Sequence, residues 1–500
     1  MQECGLRNAG PLLFRAVMTL TWVGRLRRLM LPAVLAGFMV EPLYALDLLE
    51  SYHLGLVNDP AVLAAEANRN AAQKYKPIGL AKLLPSIVLN LDGSGLRADT
   101  GKSPYVGQSN TDYTFGQANF NALLTQPLFR YDAWVTYWQA DYQLAQAQAQ
   151  LEAEYQSLAV RVAKAYFDVL YAEDIVEFTT IQHRSLDQEA AQVQERLNLG
   201  FATLIDLNET TSRRDKVSAD LILADQKLND AREALREIIG SYDASLVSVP
   251  DALPLAKPEP DNIELWSDVA QQSNLSIIAA SSAAEVAKHA IDMNYAGHLP
   301  TLDLQAQQYL TANDRPTGAY QLSQQSIGIN LSVPIYQGGG VSAKVDQSRD
   351  QYEKSVHELD KQRRTVQRQV KDAFRAVLSS MGRIEALQSA VISAQSALEA
   401  AQVGYQVGNS TILNVLVQQS LYFQYWADYA RVRYDYLVSS LQLKQAAGTL
   451  MISDVDAINR LILGRTGGRK DKHITVPKLT VPQPDFAGEP LLRPAGAPVK

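Results

Sequence analysis

Two short stretches carry a residue spacing that could do chemistry: "LGFATLIDLNE" at 199–209 and "VGNSTILNVLV" at 407–417. In each, a glycine is followed three residues later by threonine, and three beyond that by Asp206 or Asn414. A threonine followed at that distance by an acid marks a helix start: Thr203 and Thr411 cap, and Asp206 reaches back to complete a capping box. Asp206 and Glu209 also stand one helical turn apart, so both carboxylates share a face and could draw cations. The two readings are compatible. Elsewhere the chemistry is sparse. The six histidines (His53, His183, His289, His298, His357, His473) have no metal-ligand spacing. No nucleophile, base or metal cluster emerges, so neither an enzyme nor a cofactor is expected. A net charge of -7 over 500 residues argues against a nucleic-acid partner held by bulk charge.

The elements that carry these turns come in two copies. "LLTQPLF" at 123–129 matches "NLSVPIY" at 330–336, with Pro127 and Pro334 in the same place. "AYFDVL" from Ala165 matches "AFRAVL" from Ala373, and the two turn stretches match at that same offset. "KLLPSIVLNL" at 82–91 also resembles "GHLPTLDLQA" at 297–306. Chance agreement at one spacing over so long a run is improbable, and the chain reads as a duplication. The first repeat is expected over 46–240 and the second over 263–463, with an inter-repeat linker at 241–262. Each repeat reads helix, strand, loop, strand, very long helix, turn, helix.

Strands are expected near 84–93, 113–129, 299–310 and 325–336. In the last, Ile327, Ile329, Leu331 and Val333 alternate with Gly328, Asn330 and Ser332, the period of a strand with one oily face. No second sheet exists to cover that face, and lipid is the remaining apolar partner. Four strands cannot close a barrel, and an open edge in lipid leaves backbone groups unsatisfied at several kcal/mol each. Several chains must pool their strands; two, three or four would each give an allowed even number. Pro334 is expected to end the strand, and Gly338, Gly339 and Gly340 to turn the chain into the next helix, with Pro127 at the matching strand-to-helix turn.

Those next helices are long. Residues 131–199 contain no proline or glycine, and over 341–407 the only glycines are Gly382 and Gly404. At the standard rise each spans roughly 100 Å. Heptads run through both: Leu151, Tyr155, Leu158, Val162, Ala165 and Val169, then Val366, Val370, Ala373, Val377, Ile384, Leu387 and Val391. Such helices make a shaft rather than wrap a compact core. Shorter helices at 60–80 and 203–239, and at 275–295 and 411–450, match them in length when stacked end to end.

The ends read differently. Arg25, Arg27 and Arg28 precede "LMLPAVLAGFMV", too short to span a bilayer, and Ala45 offers a cleavage site. Residues 1–45 are expected to be a signal peptide, which would leave a mature chain without its only cysteine, Cys4. The tail at 464–500 is expected to be disordered.

"GHLPTLDL", "LSVPIYQGGG", "VGYQVGNSTILNVL" and "YDYLVSSLQLKQAAGTL" resemble the TolC family of outer-membrane efflux and secretion ducts, across both repeats. The resemblance implies a mixed α and β membrane protein of Gram-negative bacteria: a homotrimer whose twelve-stranded outer-membrane barrel, four strands per chain, continues into a periplasmic α-helical coiled-coil tube. It implies a passive exit duct for type I protein secretion, drug efflux or both. The implied partners are outer-membrane lipid, a periplasmic adaptor and an inner-membrane ABC or proton-driven transporter. Without a lipid-anchor cysteine, the mature chain looks more like TolC itself than the lipidated drug-efflux ducts. The turns would then form the tip of the tube, where threefold symmetry makes an acid into a ring. The family carries two tip aspartates one turn apart in the second repeat, and here those places hold Asn414 and Val417. The acidic ring is therefore expected at Asp206 and Glu209. The family also has an arginine where Ser410 stands and a polar partner where Ile205 stands, while Tyr405 and Asp206 match. One of two tip-locking contacts is thus missing. The alternative is a periplasm-spanning structural coiled coil that transports nothing.

Overall fold

The structure, a computed structural model, describes residues 45–100, 111–242, 244–250, 253–315 and 318–463. The expected signal peptide, except Ala45, and the expected disordered tail lie outside the described residues. Three helices, α1 (Leu48–Asn58), α2 (Pro60–Ala72) and α3 (Tyr75–Ala81), lead into strands β1 (Ser86–Thr100) and β2 (Thr111–Phe129). The long helix α4 (Tyr131–Asn198) and its return α5 (Leu204–Ile239) follow. The same order then recurs: α6 (Ile263–Ser273), α7 (Leu275–Tyr295), β3 (Thr301–Asn313), β4 (Tyr320–Ser332), α8 (Gly340–Gln406) and α9 (Ile412–Ala447), closed by α10 (Ile452–Leu463). Among the described residues no helix is long and apolar enough to cross a membrane.

The four strands form one antiparallel sheet in the order β1-β2-β3-β4. Directly paired residues share a face, so the register separates two chemistries. Ile87 pairs with Leu124, Leu124 with Ala306, and Ala306 with Ile327. That face is apolar and open, with Ile87 74% and Ile327 78% exposed. The opposite face carries a polar ladder. Thr311 donates to Asn119 at 2.6 Å, Asn119 to Asp92 at 2.6 Å, and Gln307 to Asn121 at 2.9 Å. β1 pairs only with β2 and β4 only with β3, so both outer edges present unpaired backbone groups.

The strand-to-helix joints differ between the repeats. Pro127 lies inside β2, paired with Asp303 beside a register shift, and a single residue, Arg130, separates the strand from α4. In the second repeat β4 ends at Ser332, two residues before Pro334, and residues 333–337 without regular structure follow. Pro334 therefore does not itself terminate the strand; Val333 has already left the ladder. Gly338 and Gly339 take φ of 62° and 79°, a left-handed turn that a Cβ disfavours, whereas Gly340 is already the first residue of α8. The turn needs two of the three glycines.

α4 packs on α5 over one part of its length and on α2, α3 and α7 over another, while α8 packs on α9, α6 and α7. The seam of α4 buries Leu151, Leu158, Val162, Ala165 and Val169 as its heptads require. In α8 the buried residue is Phe374 rather than Ala373, one place further round the helix, before the three-four alternation resumes through Val377, Ile384 and Val391. The expected helix at 60–80 is broken into α2 and α3. The linker packs on the shaft: Leu46 bridges Leu246 in parallel, and the buried Tyr166 hydroxyl donates to the carbonyls of Leu46 at 3.1 Å and Val247 at 2.8 Å.

Candidate functional site

Both helical hairpins end in a turn built by the same backbone device. Gly200 and Gly408 take φ of 80° and 81°, which lets α4 and α8 end and reverse within a few residues. At the first turn Thr203 Oγ1 accepts from the Asp206 amide at 3.1 Å, and Asp206 Oδ2 accepts from the Thr203 amide at 2.9 Å. The Thr203 hydroxyl donates to that same carboxylate oxygen at 2.8 Å. At the second turn Thr411 caps the Asn414 amide at 3.3 Å, but the Asn414 side chain donates to the Ser410 hydroxyl at 3.0 Å instead of reaching back. Asp206 is thus a helix cap with one oxygen committed. Asp206 on the first turn of α5 and Glu209 on the second are both half-buried, whereas Asn414 and Val417 stand exposed at the start of α9. Around the first turn, Leu199, Phe201, Leu204 and Ile205 are exposed, Phe201 at 77%.

Of the family's two tip-locking contacts, the resemblance leaves one, between Tyr405 and Asp206. Among the described residues Tyr405 makes no hydrogen bond to Asp206; the Arg196 guanidinium lies 4.7 Å from its ring centroid instead. The cap occupies Asp206 Oδ2, and the tie between α4 and α8 is this cation–π contact. Ser410 contributes no charge here; its amide bonds to the Gly404 carbonyl at 3.1 Å.

Behind the turns, Glu189 projects from α4 toward α9. Its Oε1 accepts from the Gln419 side chain at 3.3 Å, while Oε2 is covered and has no hydrogen-bond partner. Burial pushes the carboxyl up to about 7. Sequence reasoning singled out neither Glu189 nor Arg196. A signal existed: Leu186, Glu189, Val193 and Arg196 follow one another at seam spacing, so two charges occupy apolar places in the heptad pattern. Among the described residues no group of three or more His, Cys, Asp or Glu is gathered that could hold a metal ion.

At the other end of α4, Arg130 grips Asp303 of β3 through two bonds, Nε to Oδ1 at 3.0 Å and Nη2 to Oδ2 at 2.8 Å. Asp303 is only 4% exposed, so this fork ties the base of α4 to a buried carboxylate of the sheet.

A sheet apolar on one face and polar on the other, joined to two hairpins of helices about 100 Å long, defines an outer-membrane duct subunit. The chain belongs to the outer membrane efflux protein family, whose model matches residues 52–241 and 266–449. It is 33% identical over 427 residues to outer membrane protein TolC of Vibrio cholerae, a match spanning 85% of this chain and 95% of that one. It is 28% identical to the alkaline protease secretion protein AprF of Pseudomonas aeruginosa, over 86% of this chain and 90% of AprF. Its fold superposes on the outer membrane protein VceC of Vibrio cholerae with a TM-score of 0.65 and 18% identity, over 80% of this chain and 96% of VceC. The protein is accordingly an exit duct of the Gram-negative outer membrane, with its helices in the periplasm.

Proposed function

We propose that three copies pool their sheets into a closed twelve-stranded barrel, and that their helical hairpins continue it as a periplasmic tube. The observation that carries this is the sheet itself: an apolar face, a polar face and two unpaired edges. Lipid on one side and a water-filled lumen on the other satisfy both faces, and only neighbouring copies satisfy the edges. The polar ladder through Asn119, Asn121 and Gln307 would then line the pore.

The chain divides into a first repeat at 46–240, a second at 263–463 and a linker at 241–262. The duct is passive, and energy comes from an inner-membrane ABC or proton-driven transporter bridged by a periplasmic adaptor. The exposed apolar residues Phe201, Leu204 and Ile205 at the first turn suit contact with such an adaptor. Similarity to TolC and AprF supports a role in type I protein secretion, drug efflux or both. Asp206 and Glu209, multiplied by threefold symmetry, form the acidic ring at the tip, with Asn414 and Val417 as its neutral counterparts in the second repeat. A structural coiled coil without transport would have no use for a two-faced sheet. Purified protein reconstituted into planar bilayers should give discrete, long-lived conductance steps. Preparations with native helix and strand signals that never conduct would overturn the duct.

A further inference from the structure

Glu189 is a carboxylate placed where α4 should be apolar. Leu186 and Val193, its neighbours on the seam, are buried. Its Oε1 shares the Gln419 amide with the Ser185 hydroxyl, at 3.3 and 2.9 Å, and its Oε2 faces no donor. A cavity of about 70 Å³ adjoins it, lined by Glu189 and Arg196 of α4, Gln402 and Tyr405 of α8, and Val415 of α9. That is room for a few waters at a place where both hairpins meet.

Among the described residues, no charged or titratable group on the packed elements bonds to Glu189. On α4, Asp187 lies 3.1 Å from His183, and Arg196 covers the Tyr405 ring of α8. On α5, Arg214 pairs with Asp215 at 2.7 Å and reaches Asp187 at 3.9 Å, and Arg213 and Glu209 precede it without bonding to Glu189. On α8, Glu399 accepts from Gln395 at 3.0 Å, and on α9 the nearby phenol is the buried Tyr422. Among the described residues, none of these supplies Glu189 with a counter-charge.

We propose that Glu189 is a proton-controlled latch between the two helical hairpins near the tip. Protonated, its hydroxyl donates to the oxygens lining the cavity and the α4–α9 contact closes. Ionised, its uncovered charge draws water into the cavity and the hairpins part. The direction follows from linkage. In the closed arrangement burial raises the carboxyl to about 7, while in a hydrated, parted arrangement it returns to the ordinary value near ~4.3. The closed contact is therefore fully stabilised below the ordinary carboxylate range, and loses that stabilisation as pH rises toward about 7.

The latch rests on reading these turns as a duct tip only for its consequence, so its test avoids transport. Spin labels on cysteines at the exposed Asn198 and Asn409 measure the separation of the hairpins in detergent, with labelled chains diluted into unlabelled ones. Between pH 5 and 8 the ratio of parted to closed molecules should rise on the order of 50- to 100-fold, the change expected for a carboxyl that moves from about 7 in the closed arrangement to the ordinary value in the parted one. Glu189→Gln should stay closed throughout. Gln419→Met, which removes the donor favouring the ionised form, should move the transition to higher pH. The Asp206→Asn, Glu209→Gln double variant should keep the transition. The proposal is overturned by a wild type without a transition, by Glu189→Gln with an unchanged one, or by its loss in the double variant. A Gln419→Met midpoint that is unmoved or lowered would overturn it as well. Failure in any of these leaves bilayer conductance untouched, and failure to conduct leaves the distances untouched.

Discussion

Asp206 caps α5 and carries a second, proposed role in the acidic ring. Its capping role was legible because threonine and an acid at that spacing have a local physical meaning. The ring proposed for it is not local and would need the other chains. The two roles separate by substitution. Glu209 caps nothing, so Glu209→Gln should weaken block of the channel by multivalent cations applied from the tip side, at no cost to stability. Asp206→Asn should weaken the block and also loosen the start of α5 by about 1 kcal/mol. Together they should abolish most of the block, with the assembly unchanged in size on native gels; full block in the double variant places the acids elsewhere. Arg196 and Glu189 were less legible because a charge in a heptad reads as a solvated face until the packing partner is known. The Arg196–Tyr405 contact needs the ring and not the hydroxyl. Tyr405→Phe should therefore leave resting conductance as it is, and Arg196→Gln should raise it by releasing about 0.5–1 kcal/mol of hairpin contact. Equal effects from the two variants would mean that the tyrosine acts through its hydroxyl.

At the scale of elements, period and punctuation located β2, β3 and both long helices to within three residues, but stopped β1 seven residues short and set β4 four to five residues late, where polar and small residues blur the alternation. α1, α6 and α10 were not anticipated. They are short, and much of their order comes from contacts far along the chain: Asn459 of α10 accepts from the Leu48 amide at 3.1 Å and donates to Asp47 at 3.1 Å. The joint at Arg130 was equally hidden, because its partner Asp303 lies in the other repeat. Arg130→Ala should lower stability by about 1–3 kcal/mol. It leaves Asp303 buried and unpaired, while the half-exposed arginine itself was partly solvated. Asp303→Asn, which keeps hydrogen-bonding capacity without the charge, should cost less. Thermal unfolding of the purified protein checks the order, and Asp303→Asn proving worse than Arg130→Ala would remove the burial argument.

For the whole molecule, the oligomer was only bounded by the sequence. Four strands per chain allow eight, twelve or sixteen in a closed barrel, and nothing in the periodicity chooses. The structure sharpens the question by giving the two edges that a closed barrel would join. β1 and β4 are the outer strands, and antiparallel closure requires β4 of one copy to run beside β1 of the next. Because a closed ring uses every edge once, cross-linking one β1 position to one β4 position must join all copies into a single covalent circle. The mature chain is expected to lack cysteine, so pairs can be introduced cleanly: Val88→Cys on β1 with each of Gln324, Ser326 and Gly328 on β4 changed to cysteine in turn. These lie on the polar face, away from lipid, and the series covers the unknown stagger between copies. On oxidation one member of the series should convert monomer through dimer to trimer on a reducing-sensitive gel, and stop there. The yield should be independent of protein concentration, since the partners are held in place before the bond forms. A ladder ending at dimer or tetramer would give a barrel of eight or sixteen strands, and no cross-link at any register would mean that the two edges do not meet.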